Sequence, residues 1–187
     1  MNFDLEPQLV ELRDHVAQFV ADEVIPAESE PFTPELVAGL RAKARRDGIF
    51  GPQLPAAYGG LGLGTVGMCV VFEQAGRSFL GPLALHCSAP DEGNMHLLAH
   101  HGNDEQRERY LRPLIEGKIH SCFAMTEPAP GAGSDPTMML TRATRVDAGW
   151  EITGRKWFAT GAEGAADLDG AIDDAVHRLG DEGLADR

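Results

Sequence analysis

Hydrophobic residues in the first half of the chain recur at intervals of three and four. Leu5, Leu9, Leu12, Val16, Phe19 and Val20 form one such stripe, which predicts an amphipathic helix over 6–24. Asp4 stands in position to cap it, Pro7 is tolerated in its first turn, and it stops before Pro26. Thr33-Pro34-Glu35 supplies a cap, a first-turn proline and a first-turn acid, and Leu36, Val37, Leu40 and Ala44 carry a second helix to Gly48. The periodicity then lapses over 49–64, where Gly51-Pro52, Pro55 and Tyr58-Gly59-Gly60 punctuate an ordered loop. A third helix is expected from Thr65, as its cap, through Val66, Val70 and Phe72 to Gly76, and a further apolar helix between Leu83 and His101. Asn103-x-x-Gln106 is a capping-box pattern that opens another, with Tyr110, Leu111 and Leu114 or Ile115 on its buried face.

After residue 118 the period changes to two. Ile119, Ser121, Phe123 and Met125 alternate with His120, Cys122 and Ala124, and 139–146 followed by Asp147-Ala148-Gly149 and 150–158 reads as a hairpin. Beyond Gly161 a helical stripe returns on an acidic segment, with Leu168, Ile172, Val176 and Leu179 at spacings of four, four and three. The pattern predicts an α+β protein: an all-helical domain over 1–118, an antiparallel β domain over 119–161 and a short acidic helical tail over 162–187.

A chain of 187 residues, 43% apolar and 24% charged, has the composition of an ordinary globular protein with one or two domains. No apolar run is long enough to cross a bilayer and no basic start leads into one, which gives the expectation of a cytoplasmic protein without membrane span or signal peptide. The formal net charge of −13 argues against nucleic acid as a partner, since phosphate binding needs a basic face. Cys69, Cys87 and Cys122 are odd in number and far apart, and fit reduced, buried thiols.

Candidate chemistry gathers in two stretches, 123–135 and 156–161. The first opens apolar and breaks at Thr126-Glu127-Pro128 into a Pro/Gly/Ser loop; the second reads Lys156-Trp157-Phe158-Ala159-Thr160-Gly161. A flat, acceptor-edged ligand such as a flavin ring needs apolar walls and a few fixed donors, which Met125, Thr126, Trp157, Phe158 and Thr160 supply. Gly131-Ala132-Gly133-Ser134 adds a backbone that can approach a pyrophosphate and a hydroxyl to bond it. The same residues also fit a plain strand ending in a turn, followed by a hairpin whose aromatics are core. Gly62-x-Gly64-x-x-Gly67 lacks the strand that a dinucleotide fingerprint requires in front of it, and reads as a loop-to-helix turn. His96 and His100 are four apart on a predicted helix, but Leu97 stands where a zinc protease needs its glutamate and no third ligand is evident. Glu73, Glu92 and Glu127 are candidate bases by residue type alone, with Glu127 better suited to an exposed or loop-bracing role.

The two stretches together resemble the signatures of the acyl-CoA dehydrogenase family, a Thr-Glu-Pro element ending in Gly-Ser-Asp and, about thirty residues later, a Lys-Trp-Phe-x-Thr element. Pro55 to Leu63 resembles its Pro-x-x-Tyr-Gly-Gly-x-Gly loop, and Gly102 to Lys118 its Gly-x-x-x-Gln-x-x-x-Tyr-Leu-x-Pro-Leu segment, so the resemblance covers residues 1 to about 161. It implies an FAD-dependent oxidoreductase of fatty acid metabolism that introduces an α,β double bond into an acyl-CoA thioester. A carboxylate would remove the α proton as the β hydrogen leaves as hydride, with electrons passing to an acceptor protein. The resemblance places Phe123, Met125 and Thr126 along the flavin, and Gly133 and Ser134 near the pyrophosphate, Ser134 also near the CoA part of the substrate. Phe158, Ala159 and Thr160 fall against the other flank, Thr160 toward N5 or O4. Ala129-Pro130 is an insertion relative to the shortest family form and loosens the assignment of Ser134. Family members are homo- or hetero-oligomers and draw their catalytic glutamate from a C-terminal helical domain, so no residue here is assigned as the base. After Gly161 the family pattern is lost, which suggests a truncation, deletion or spliced remnant. Two alternatives follow: a non-catalytic subunit that pairs with a complete dehydrogenase subunit, or a related flavin enzyme with a non-CoA substrate.

Overall fold

The computed structural model describes residues 4–131, 133–147 and 149–162. The predicted tail stripe, Leu168 to Leu179, together with Ala132 and Ala148, lies outside the described residues. The described residues divide into two compact units, one ending at Lys118 and the other beginning at Ile119. The α+β expectation holds: the first is helical and the second contains a two-stranded antiparallel sheet. No helix among the described residues is long and apolar enough to cross a membrane.

In the first unit α1 (Pro7–Phe19) starts at its proline and continues without a break into a π-helical turn, Val20–Val24, closed by Ile25 N–H donating to the Val20 carbonyl at 2.9 Å. Val16, Phe19, Val20 and Val24 are its buried face. The cap position falls on Glu6, which makes no side-chain cap, rather than on the expected Asp4. In α2 (Pro34–Arg46) the Thr33 hydroxyl accepts from Leu36 N–H at 3.2 Å, and Val37, Leu40 and Ala44 are buried. The helix α3 (Thr65–Ala75) packs on α1, and its cap position falls on Gly64 rather than Thr65. The Gly62–Gly67 motif is thus the turn into a helix.

The helix expected between Leu83 and His101 is two helices, α4 (Gly81–Ala84) and α5 (Asp91–His101). The break follows from Pro90, which has no N–H for a helical bond and crowds the residue before it, and from His86, which takes a left-handed backbone at φ 58°. The capping box forms in full: Gln106 N–H donates to Asn103 Oδ1 at 2.9 Å and Asn103 N–H to Gln106 Oε1 at 3.0 Å. It opens α6 (Asp104–Gln106), a π turn over Arg107–Leu111 and α7 (Arg112–Glu116), whose Leu111, Leu114 and Ile115 are buried while Tyr110 is half-buried. Only Cys87 is a buried thiol; Cys69 is exposed and Cys122 half-buried, which corrects the expectation of three buried cysteines.

The loop over 49–64 belongs to the core. Ile49, Phe50 and Leu54 are buried, and the Tyr58-Gly59-Gly60 turn folds back so that Leu61 N–H reaches the Gly51 carbonyl and Gly62 N–H the Leu54 carbonyl. A Cβ at Gly60 would lie 2.3 Å from the Leu54 carbonyl oxygen, so only glycine fits. Beneath this loop the His86 ring stacks on Phe50 at 5.2 Å, while Arg45 covers the Phe50 ring at 3.5 Å. His86 Nε2 lies 2.9 Å from the Leu114 carbonyl; a carbonyl can only accept, so Nε2 carries the proton. Burial, and then the nearby Arg41 guanidinium, push the His86 pKa down to about 4.

In the second unit β1 (Arg142–Val146) pairs antiparallel with β2 (Gly149–Thr153), Arg142 opposite Thr153 and Val146 opposite Gly149. All five residues of β1 are exposed. The expected strand from Ile119 to Met125 is not formed; its one ladder contact is the isolated bridge of Phe123 with Thr160. The hairpin strands are also shorter than the predicted 139–146 and 150–158, because the backbone before β1 and after β2 bonds elsewhere.

Replacing Gly60 by alanine is expected to destabilise the first unit by about 1–3 kcal/mol in urea unfolding. Acidification gives a second test. The native state holds His86 neutral down to about pH 4, whereas an unfolded histidine takes its proton near pH 6.5. Stability is then present in full above about pH 6.5 and falls as the pH drops toward 4, by about 3 kcal/mol in all. Urea midpoints across that range will show the slope, and a His86→Asn variant, whose side chain tolerates the left-handed backbone, will lack it.

Candidate functional site

Glu127 is the centre of the second unit. Its side chain is only 3% exposed and accepts from four donors: Leu140 N–H at 2.7 Å, Thr141 N–H at 2.9 Å, the Thr141 hydroxyl at 2.5 Å and Lys156 Nζ at 3.0 Å. Its backbone N–H bonds to the Gly133 carbonyl at 2.9 Å, which closes the Pro/Gly loop. These bonds explain the shortened hairpin, since the amides of residues 140 and 141 point to the carboxylate instead of a strand partner. Gly131 is constrained in the same place, because a Cβ there would lie 2.7 Å from both the Cβ and Oε2 of Glu127. The Thr141 hydroxyl, the Leu140 amide and the other donors hold the Glu127 carboxyl down at about 2, far below the usual carboxylate range. Glu127 braces the loop, as one reading of the sequence has it, but it is buried rather than exposed.

Lys156 links the two predicted stretches. Its Nζ donates to the Met125 carbonyl at 2.8 Å as well as to Glu127, with the Met139 sulfur at 3.2 Å. Trp157 N–H donates to the Thr126 carbonyl at 3.1 Å, and Phe123 N–H to the Thr160 carbonyl at 3.4 Å. The two bonds lie three residues apart on both segments, so the segments run antiparallel side by side, with the two-residue repeat of a regular ladder broken between them. Met125 and Thr126 therefore run beside Phe158, Ala159 and Thr160, although the two stretches are about thirty residues apart in sequence. Phe158 adopts φ 48°, a left-handed conformation that costs a non-glycine residue roughly 1–2 kcal/mol, and it interrupts the strand's alternation of faces between Trp157 and Thr160.

The seam carries exposed apolar walls. Phe123 is 58% exposed, Trp157 47% and Phe158 80%, the last two rings in contact at 4.8 Å. These aromatics are therefore not core, which overturns the plain-hairpin alternative on that point. Among the described residues, the hydroxyls of Thr126, Ser134 and Thr160 and the backbone N–H groups of Met125 and Thr126 make no intramolecular hydrogen bond. Unengaged donors beside flat apolar walls are what a planar, acceptor-edged ring requires, so these residues fit a flavin. Gly133 is half-buried at φ 65°, and Ser134 is exposed just past the bridge that closes the loop containing Ala129-Pro130. Asp135 turns away from the loop to cap Pro136–Met138, accepting from Thr137 N–H at 2.9 Å.

The other sequence candidates lie in the first unit. His96 and His100 approach to 4.3 Å between ring centroids on α5, and the described residues contain no group of three or more possible ligands for a metal. Glu73 is exposed on α3, and Glu92 lies in the first turn of α5. Sequence reasoning missed Lys156 and Thr141 as partners of Glu127. The available signal was a buried-type acid in Thr-Glu-Pro and a lysine opening the second stretch, with nothing local to pair them.

Comparison with known proteins shows two family models along the chain: the acyl-CoA dehydrogenase N-terminal domain over residues 6–118 and the middle domain over 122–168, the latter running past the point near 161 where the motifs end. Probable acyl-CoA dehydrogenase FadE2 of Mycobacterium tuberculosis is 34% identical over 175 residues, covering 87% of this chain and 42% of the relative. A Mycobacterium abscessus structure assigned to the acyl-CoA dehydrogenases superposes with a TM-score of 0.76 at 37% identity, over 85% of this chain and 44% of the other. Glutaryl-CoA dehydrogenase of Mycobacterium smegmatis, solved in complex with FADH2, gives 0.64 at 26% identity over 86% and 41%. The chain thus spans less than half the length of these relatives.

Glu127→Gln is expected to raise hydrogen exchange at the Leu140 and Thr141 amides about tenfold or more. In the unsubstituted protein the Glu127 contribution to stability is present above about pH 4.5 and is lost as the pH falls toward 2. NMR chemical shifts of those two amides will follow that titration.

Proposed function

The chain belongs to the acyl-CoA dehydrogenase family, and on that premise we propose that its second unit is a flavin-binding element of an oxidoreductase acting on the CH–CH bond of acyl-CoA thioesters. The observation that carries this reading is the common register of the two signature segments, with unengaged donors and exposed aromatic walls along it. Phe123, Met125 and Thr126 would lie along one flank of the isoalloxazine, and Phe158, Ala159 and Thr160 along the other. Thr126 and Thr160 would each donate a hydroxyl hydrogen bond to the acceptor edge, while Trp157 and Phe158 exclude water from the ring face. The Gly133 backbone and the Ser134 hydroxyl would meet the pyrophosphate, with Ser134 also toward the CoA part of the substrate. Bound FAD supplies the acceptor for the hydride that leaves the β-carbon.

Removal of the α proton needs a carboxylate whose pKa lies near the working pH. Glu127 is unsuited: it is buried, bonded four times and held at about 2, so it stays an engaged anion. Glu73 and Glu92 belong to the other unit. We assign no base within residues 4–162, and the carboxylate would come from elsewhere in the working enzyme. An acyl-CoA substrate, an electron-accepting protein and an oligomeric working form complete this reading.

A second reading is favoured by one observation. Every residue of β1 is exposed, and among the described residues β1 pairs with β2 alone. An unpaired edge favours addition of another chain. The chain would then be a non-catalytic partner of a complete dehydrogenase subunit; co-purification with such a subunit supports this, and a stable monodisperse monomer counts against it.

Titration of the purified chain with FAD, followed by flavin fluorescence and the visible spectrum, tests the first reading. Saturable binding at micromolar FAD is expected, weakened about tenfold in Thr126→Val and again in Thr160→Val, the loss of one hydrogen bond each. A colourless chain that leaves FAD fluorescence unchanged overturns it.

A further inference from the structure

The seam between 123–127 and 157–160 has an unusual problem of register. A one-residue slip between strands sends every side chain to the opposite face, and what ordinarily forbids the slip is a buried apolar face. Here no apolar residue of the seam is buried: Phe123, Trp157 and Phe158 are exposed, and Ala124, Met125 and Ala159 only half-buried. The backbone adds only two bonds, one of them 3.4 Å long and near the limit of a useful hydrogen bond. Something else must hold the alignment.

We propose that Lys156 is a positioning residue for the flavin, fixing by its side chain the register that brings Thr126 and Thr160 to one ligand. The argument rests on the flavin reading above and on three features of the lysine. Its side chain is mostly buried, with an exposure of 20%. It donates at once to the Met125 carbonyl, on the backbone of one flavin segment, and to Glu127, the acid that organises the following loop. It immediately precedes Trp157, whose amide bonds the Thr126 carbonyl. An ammonium presents a compact charge with three donors, and here two oxygens of the opposite segment share it, so the side chain ties that segment to the residue before Trp157. A slip by one residue would stretch the contact with the Met125 carbonyl and draw the cation away from the buried Glu127 carboxylate. Neither loss is made up by packing.

The test compares Lys156→Met and Lys156→Arg in the full chain by two measurements, exchange of the Trp157 amide without ligand and FAD affinity by fluorescence titration. Lys156→Met is expected to speed Trp157 amide exchange at least tenfold and to weaken FAD about tenfold, while amides of α1, α2 and α3 keep their protection. Lys156→Arg, which retains donors for both oxygens, is expected to restore both to within about threefold. If Lys156→Met removes amide protection throughout the hairpin, Lys156→Gln, which keeps a donor without the charge, replaces it and is read in the same way. Unchanged Trp157 exchange overturns the proposal. So does faster exchange with FAD affinity within twofold of the unsubstituted chain, because Lys156 would then serve stability alone. Failure of the unsubstituted chain to bind FAD overturns the flavin reading and this assignment with it, whereas flavin bound equally by both proteins overturns this assignment only.

Discussion

The Glu127 carboxylate is the constraint on which the second unit depends. Around it the unit has little packing to hold it: β1 is exposed throughout, and the aromatic side chains of the two signature segments face outward. A lone two-stranded hairpin, here with only Trp150 and Ile152 half-covered on one strand, is marginal in water. What fixes this one is a buried anion whose four donors come from the residues before β1 and from Lys156 after β2, with the Gly133 carbonyl tying its own backbone. An anion left buried without those donors would be heavily penalised, so the three segments are bound to arrive together or not at all. The loop that follows Thr-Glu-Pro thereby takes its shape from the acid that opens it.

The first unit solves the same problem by the opposite route. Its irregular stretch, 49–64, is pinned by burial of Ile49, Phe50 and Leu54 and by backbone bonds folding the glycine turn back on Gly51 and Leu54. The Arg45, Phe50 and His86 stack lies under that turn, and the neutral imidazole reaches the Leu114 carbonyl of α7. The loop and α7 are joined through that neutral ring, and α2 meets the loop through Arg45 on Phe50. One unit is organised by apolar burial with a polar pin, the other by a polar pin with scant burial.

Legibility in the sequence followed the range of the interactions. The Thr33 cap, the Pro34 start and the Asn103–Gln106 capping box all act within four residues, and each was readable from spacing. The break between α4 and α5 is marked by Ala89-Pro90, where the proline's missing N–H overrides an apolar periodicity that runs on through it. Strand limits were not readable, because where the hairpin stops depends on amides 140 and 141 choosing a carboxylate thirteen and fourteen residues back. The residue types of the candidate site could be named from motif and chemistry. Their common register could not, because it rests on pairs such as Met125 with Lys156 that no local pattern connects.

Phe158 carries a cost that its own unit does not need. A left-handed backbone is cheap for glycine or asparagine and strained for phenylalanine, and this ring, four-fifths exposed, recovers little by burial. Selection for thermal robustness alone would therefore discard the aromatic side chain, exchanging a wall for a relaxed turn. A hardened descendant of this protein could fold better and hold the proposed flavin worse, and position 158 is where that conflict would first be written.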